Sequence, residues 1–179
     1  MNKILSAGEG FLVPDGTVVH SLLDPAALSR STGEWVEDVS LALGYIPPHT
    51  ISKIHLHPLV TQVTWVLSGE LTVKMKDPRV SAPYTLDVSG EQAVITRRGT
   101  FFQIINRSDA DCRVLYIVTP AFVFATGGGG EVVYNDALVL DHEWDDLAAM
   151  EWMLSDLAEM EAIHAARREA QEQLRNVDV

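Results

Sequence analysis

The chain has 179 residues with 25 acidic and 13 basic side chains, a formal net charge of −12, and is 47% hydrophobic and 21% charged. That length suits one domain able to close a core without disulfides or structural metal, and the balance excludes both a disordered tail protein and a membrane-spanning one. Residues 131–179 hold 13 acids and 3 bases, so −10 of the −12 lies there and no basic cluster is available to displace counterions from nucleic acid.

Residues 1–14 carry one Lys and an apolar stretch broken by Gly8, Glu9 and Gly10, a poor signal peptide. No apolar run approaches the roughly 18 residues that span a bilayer. The expected compartment is cytoplasmic, with no membrane and no nucleic acid as partner. Residues 1–34 are read as an N-terminal segment packing on a β-barrel formed by residues 35–125.

From Trp35 to about Phe124, short runs of Val, Ile, Leu, Thr and aromatics are punctuated by Gly, Pro and Asp, the pattern of many antiparallel strands. Strands are expected at 36–45, 51–57, 63–67, 70–76, 85–88, 93–95, 101–106 and 113–119. Pro47-Pro48, Ser68-Gly69, Asp77-Pro78, Ser89-Gly90, Arg98-Gly99 and Ser108-Asp109 supply the turns. Eight short strands over residues 35–125 make a barrel or sandwich. Cys112, the single cysteine, excludes an intrachain disulfide and reads as a small buried hydrophobe in a strand.

Residues 126–142 form a Gly-rich linker and return segment, whose four glycines at 127–130 read as a connector or as a lid over a pocket. Residues 143–176 show helical periodicity in Leu147, Met150, Leu154, Leu157, Met160 and Ile163, with a break expected near Ser155. Asp141 suits the N-cap, and Arg167, Arg168 and Arg175 suit the negative end of the dipole. The apolar stripe must bury against the barrel or a second subunit.

The most informative stretch is His49-Thr-Ile-Ser-Lys53-Ile-His55-Leu-His57-Pro-Leu-Val-Thr-Gln62, with Gly69 seven residues on. In a strand His55 and His57 project from one face, where two imidazoles can meet one cation. A turn at Pro58 brings Gln62 beside them, a three-ligand set with open positions. By the same parity Lys53 should face the cavity, while Thr64 and Val66 share parity with Gln62 and should line it. Trp65 should face away. His49 is placed near the barrel mouth, and Tyr116 is a further site candidate on the last strand, where pattern leaves open which set faces inward. His20, His142 and His164 lie outside these motifs.

This arrangement resembles the first motif of the cupin superfamily: His-x-His, three or four residues, an acid, six residues and Gly. Here the intervals are four and six. Gly90 through Arg97-Arg98-Gly99-Thr100-Phe101-Phe102-Gln103 to Asn106 resembles the second motif. Gln62 stands where the family usually has Glu, and Phe102 where it has its third His. The resemblance implies an all-β jelly-roll barrel, here with a C-terminal α-helical extension, holding a small ligand in its interior.

What it implies for function is a metal-dependent cupin enzyme acting on an oxygenated small molecule by Lewis-acid chemistry of isomerase, cyclase or lyase type. His55, His57 and Gln62 would hold one divalent ion, with zinc, iron, nickel, cobalt and manganese all compatible. Lys53, His49 and Tyr116 are the catalytic candidates, and Thr64, Val66, Phe102 and Gln103 the substrate-pocket candidates. Regular alternation turns Gln103 to the opposite face, and a bulge would return it. The alternatives are an Fe(II)-dependent dioxygenase and a non-catalytic small-molecule-binding cupin. A homodimer is expected, with Trp65, Trp144 or Trp152 near the buried surfaces.

Overall fold

The computed structural model describes residues 4–13, 16–24, 38–78, 82–148 and 157–176. Within them, runs of β-branched and aromatic residues take up pleated backbone: β1 (Gly10–Leu12), β2 (Val18–Leu23), β3 (Ser40–Ile46), β4 (His55–Leu56), β5 (Thr61–Ser68), β6 (Glu70–Lys76), β7 (Tyr84–Ser89), β8 (Ala93–Thr96), β9 (Phe101–Ile105) and β10 (Cys112–Thr119). Three further strands, β11 (Phe124–Thr126), β12 (Val132–Asn135) and β13 (Leu138–Val139), precede α1 (Trp144–Ala148) and α2 (Leu157–Asn176).

Two antiparallel sheets face each other, one ordered β1-β2-β3-β10-β5-β8 and the other β13-β4-β9-β6-β7. This is the expected jelly roll with a helical extension. Alternation along β10 turns Cys112, Val114, Tyr116 and Val118 inward, which settles the parity that the sequence left open. Cys112, Val114 and Tyr116 meet Leu71, Val73, Met75, Phe102 and Ile104 from the opposite sheet in the main core. Burial pushes the Cys112 thiol up to about 11, consistent with a packing role.

Two motif residues are structural here. Gly69 sits at φ +88°, and a Cβ there would meet the Asp111 carbonyl oxygen at 2.8 Å, so only glycine closes this turn. Asn106 is fully buried and donates to the carbonyls of Ile46, Pro47 and Ala110 at 2.9, 3.1 and 2.8 Å, tying together the loops at that end of the barrel.

The expected strand at 51–57 is mostly irregular. Only His55–Leu56 pairs as a strand, with one isolated bridge from Ile51 to Ile105. Ser52 interrupts the ladder, its hydroxyl accepting from the Ile104 N–H at 3.0 Å and its carbonyl accepting from Gln103 Nε2 at 2.7 Å. The glycines at 127–130 form the turn joining β11 to β12, closed by the Gly127 N–H donating to the Glu131 carbonyl at 2.8 Å.

The C-terminal helices bury their apolar faces on their own barrel. Trp144 and Leu147 join Ile54, Leu56 and Phe101. Met160 and Ile163 pack on Leu59, Val60 and Val118, and Leu174 on Val123 and Ala125. Trp144 is thus buried within one subunit and is not available to a dimer surface, whereas Trp65 is 43% exposed on the outer sheet face. Met150, Trp152 and Leu154 lie outside the described residues. Among the described residues no helix is long and apolar enough to cross a membrane.

One buried ion pair anchors α2. Asp136, fully buried, accepts from Arg167 Nε at 3.0 Å, the Val123 N–H at 2.7 Å and the Tyr134 hydroxyl at 2.8 Å, while the Arg167 guanidinium also donates to the Ala121 carbonyl. Burial pushes the Asp136 carboxyl above the usual carboxylate range, with Arg167 pulling it back down. Arg167→Ala should cost about 3–5 kcal/mol at neutral pH, because it strands a buried charge. A carboxyl whose folded pKa exceeds its unfolded one stabilises below the unfolded value and loses that contribution as pH rises through the folded one. The deficit of Arg167→Ala should therefore shrink on acidification, as urea unfolding of both proteins across pH will measure; a deficit independent of pH would contradict this.

Candidate functional site

His55 and His57 lie 4% and 3% exposed at the inner end of a cavity of about 490 Å³, with Gln62 and Tyr116 in the same lining. Their ring centroids are 5.5 Å apart. Two imidazoles sharing one tetrahedral ion, with metal–nitrogen distances of about 2.1 Å, have centroids about 5 Å apart. His55 Nδ1 lies 3.0 Å from the Lys53 carbonyl; as an N–H donor there, it leaves the lone pair on Nε2. Gln62 Nε2 donates to Thr64 Oγ1 at 3.0 Å, which assigns the amide oxygen as the acceptor.

His57 Nδ1 is buried with no hydrogen-bond partner among the described residues. Burial first, and the neighbouring His55 second, hold this imidazole well below its ordinary pKa, so it is neutral at pH 7 with a lone pair available. Phe102 packs against both rings, 4.0 Å from His55 and 5.1 Å from His57 between centroids, and Phe122 meets His57 edge-on at 5.5 Å.

The walls are mainly apolar and come largely from other parts of the chain. Val19 of β2 and Leu174 of α2 line the cavity, and Phe11 of β1 stacks with Phe124 of β11 at 6.3 Å. Phe11 and Leu12 are 42% and 72% exposed, which places the mouth at that end.

A family model described as "Cupin domain" matches residues 42–118. Solved structures agree: a recombinant oxalate oxidase in complex with glycolate is 20% identical at a TM-score of 0.53, over 67% of this chain and 59% of that one. Residues 42–118 thus form a cupin domain. The capsular polysaccharide assembling protein CapF from Staphylococcus aureus is 15% identical at a TM-score of 0.54, over 79% of this chain and 33% of that one. Drosophila melanogaster CENP-C bound to CAL1 is 14% identical at 0.50, over 62% and 76%. At these identities the likeness concerns the fold alone. Among curated proteins none matches this chain in sequence.

Within the cupin frame, the donors present are two imidazoles and an amide. Phe102 is paired with His55 in register. Among the described residues no three His, Cys, Asp or Glu side chains group as a metal site, so the pair has no carboxylate companion and any third protein ligand falls to Gln62.

Several expected site residues lie elsewhere. Lys53 is exposed and outside the cavity lining, because the chain before His55 is not regular strand and period-two alternation does not extend back to it. His49, exposed in a turn at φ +56°, contacts Asp109 at 3.0 Å on the surface. Val66 is buried in the core between the sheets, and Thr64 reaches the site only through Gln62. Gln103 faces away, as regular alternation requires: its Oε1 accepts from the Trp144 indole N–H at 2.8 Å, holding α1 on the barrel.

Sequence reasoning missed Phe11, Phe122, Phe124 and Leu174. The apolar run Phe122-Val123-Phe124 beyond the last motif strand was the available signal. It also missed Gly44, where a Cβ would meet Tyr116 Cε2 at 2.5 Å and Val114 Cγ2 at 2.7 Å. Gly44 is what seats the Tyr116 ring in the cavity wall. Gly44→Ala should cost about 1–3 kcal/mol through overpacking. Its crystal structure should show the Tyr116 ring displaced; an unmoved ring would remove this role from Gly44.

Proposed function

We propose that this chain is a small-molecule cupin in which His55, His57 and Gln62 hold one divalent ion and the cavity receives an organic molecule by its oxygenated head. The observation that carries the reading is His57 Nδ1, a buried polar atom without a partner beside a second imidazole and a cavity. Such an atom left unmatched costs about 1–3 kcal/mol, which an ion or a ligand group at this end would offset. The buried lone pair on a neutral ring is the kind of donor that borderline divalent ions take.

When bound, the ion would act as a Lewis acid toward a carbonyl or enolate oxygen, the chemistry of isomerases, cyclases and lyases. The chain's own residues do the rest. The Lys53 carbonyl fixes the His55 ring, Thr64 fixes the Gln62 amide, and Phe102 and Phe122 exclude water around the pair. With Lys53 and His49 outside the cavity, the Tyr116 hydroxyl is the remaining candidate for moving a proton in the lining. A dioxygenase built on two His and a carboxylate is less well supported, since Gln62 replaces the acid.

A second reading, a non-catalytic binding module, is favoured by Phe102, whose ring takes the third ligand's place and leaves an aromatic wall. Both readings are tested by metal stoichiometry. The purified chain, stripped with EDTA and titrated with Co(II), should bind one ion per chain and develop a visible d–d band. His55→Ala and His57→Ala should each weaken binding by about 100-fold or more, since loss of even an outer partner costs about 10–100-fold. Phe102→His should tighten it by adding a ligand, and Gln62→Glu by adding charge. Absence of stoichiometric ion in the parent chain would favour the binding module, and undiminished binding in both His variants would place the ion elsewhere.

A further inference from the structure

We infer that the cavity selects uncharged, mainly apolar molecules bearing a single oxygenated head, and that segments outside the matched cupin domain set this selectivity. The inference rests on reading the His55–His57 end as the seat of the head. The make-up of the lining carries it: His55, His57, Gln62 and Tyr116 come from residues 42–118, while the large apolar side chains Phe11, Phe122, Phe124 and Leu174 lie outside them, interspersed with smaller polar ones such as Ser40 and Asn135.

Charge is the first constraint. Among the described residues no Lys or Arg lines the cavity, and the one Asp or Glu side chain there is Asp24. An anion moved from water into apolar surroundings needs a countercharge. A divalent ion at the histidines could match one oxyanion; a second acid function farther out would meet apolar walls and a carboxylate of its own sign.

Size and wall chemistry are the second. A volume of about 490 Å³ is in the range of cavities that enclose drug-sized ligands, and a two-carbon acid would leave most of it unfilled. Two of the polar groups on the walls are already engaged: Ser40 Oγ accepts from the Phe122 N–H at 2.9 Å, and Asn135 Oδ1 from the Ala137 N–H at 2.9 Å. The walls therefore reward apolar length. Near the head, the Phe122 ring against His57 offers an apolar face to the atoms next to the oxygen.

The test is a ladder of 2-alkanones from butanone to undecanone, measured by displacement of Nile red from the full chain, with oxalate and adipate as competitors. The ketone Kd should fall about fourfold per methylene, the equivalent of about 0.8 kcal/mol per buried CH₂, until the cavity is full. Oxalate and adipate should displace no probe at 1,000 times the concentration of the best ketone. Leu174→Ala should move the plateau to a longer chain, and Ala137→Trp, which narrows the wall, should weaken the longest ketones more than tenfold. Co(II) binding at the histidines is read separately in each variant. A ladder that persists in a chain binding no Co(II) would sustain this inference and defeat the ion. Stoichiometric Co(II) together with a preference for adipate, or a ladder unchanged in both wall variants, would overturn the inference and leave the ion reading standing.

Discussion

Asp136 has no exposed surface, and a carboxylate in that position is tolerated only where donors replace the water it has lost. The replacements come from separate parts of the chain: the N–H of Val123 before β11, the hydroxyl of Tyr134 on β12 and the guanidinium of Arg167 on α2. Arg167 reaches onward to the carbonyl of Ala121, so one side chain spans the helix, the hairpin corner and the exit from β10. Beside it, α2 packs on the barrel through Met160, Ile163, Ala170 and Leu174. The wall of the cavity beyond the two sheets is therefore held by electrostatics as much as by apolar contact.

The inner end follows a different rule. Burial keeps His57 neutral at pH 7, and Gln62 brings an amide where the cupin motif usually carries an acid. A bound cation there would keep its full positive charge, and no carboxylate groups with the histidine pair among the described residues. Phe102 adds to this by filling space beside the rings with carbon.

Much of this was readable from the chain. The motif spacings placed His55, His57 and Gln62 in one lining, and alternation along 61–68 set Thr64 and Val66 inward and Trp65 outward. Alternation failed before His55, because Ser52 keeps its N–H on the Ile104 carbonyl but gives its carbonyl to the Gln103 side chain and takes the Ile104 N–H on its hydroxyl; no propensity marks that substitution of side-chain for backbone bonding. The strands β1, β11, β12 and β13 escaped because they are two to four residues long, with Gly and Asp around them that read as loop, whereas β2, six residues and paired on both sides, lies before Trp35, where the strand pattern was taken to begin. Gly44 escaped for another reason. Its meaning lies in the Tyr116 ring 72 positions later, which no local pattern contains.

The central strands β3, β5 and β10 are bonded along both edges, so a change of backbone there propagates into neighbours on each side. The Phe11–Phe124 stack instead joins β1, an edge strand, to β11, half of a two-stranded hairpin whose tip is four glycines. Gln62 on β5 and Tyr116 on β10 thus sit under tighter mechanical constraint than Phe11 and Phe124 of the wall. A lineage carrying this architecture can therefore vary the cavity wall through the hairpin, the first strand and the last helix while leaving β5 and β10 as they are.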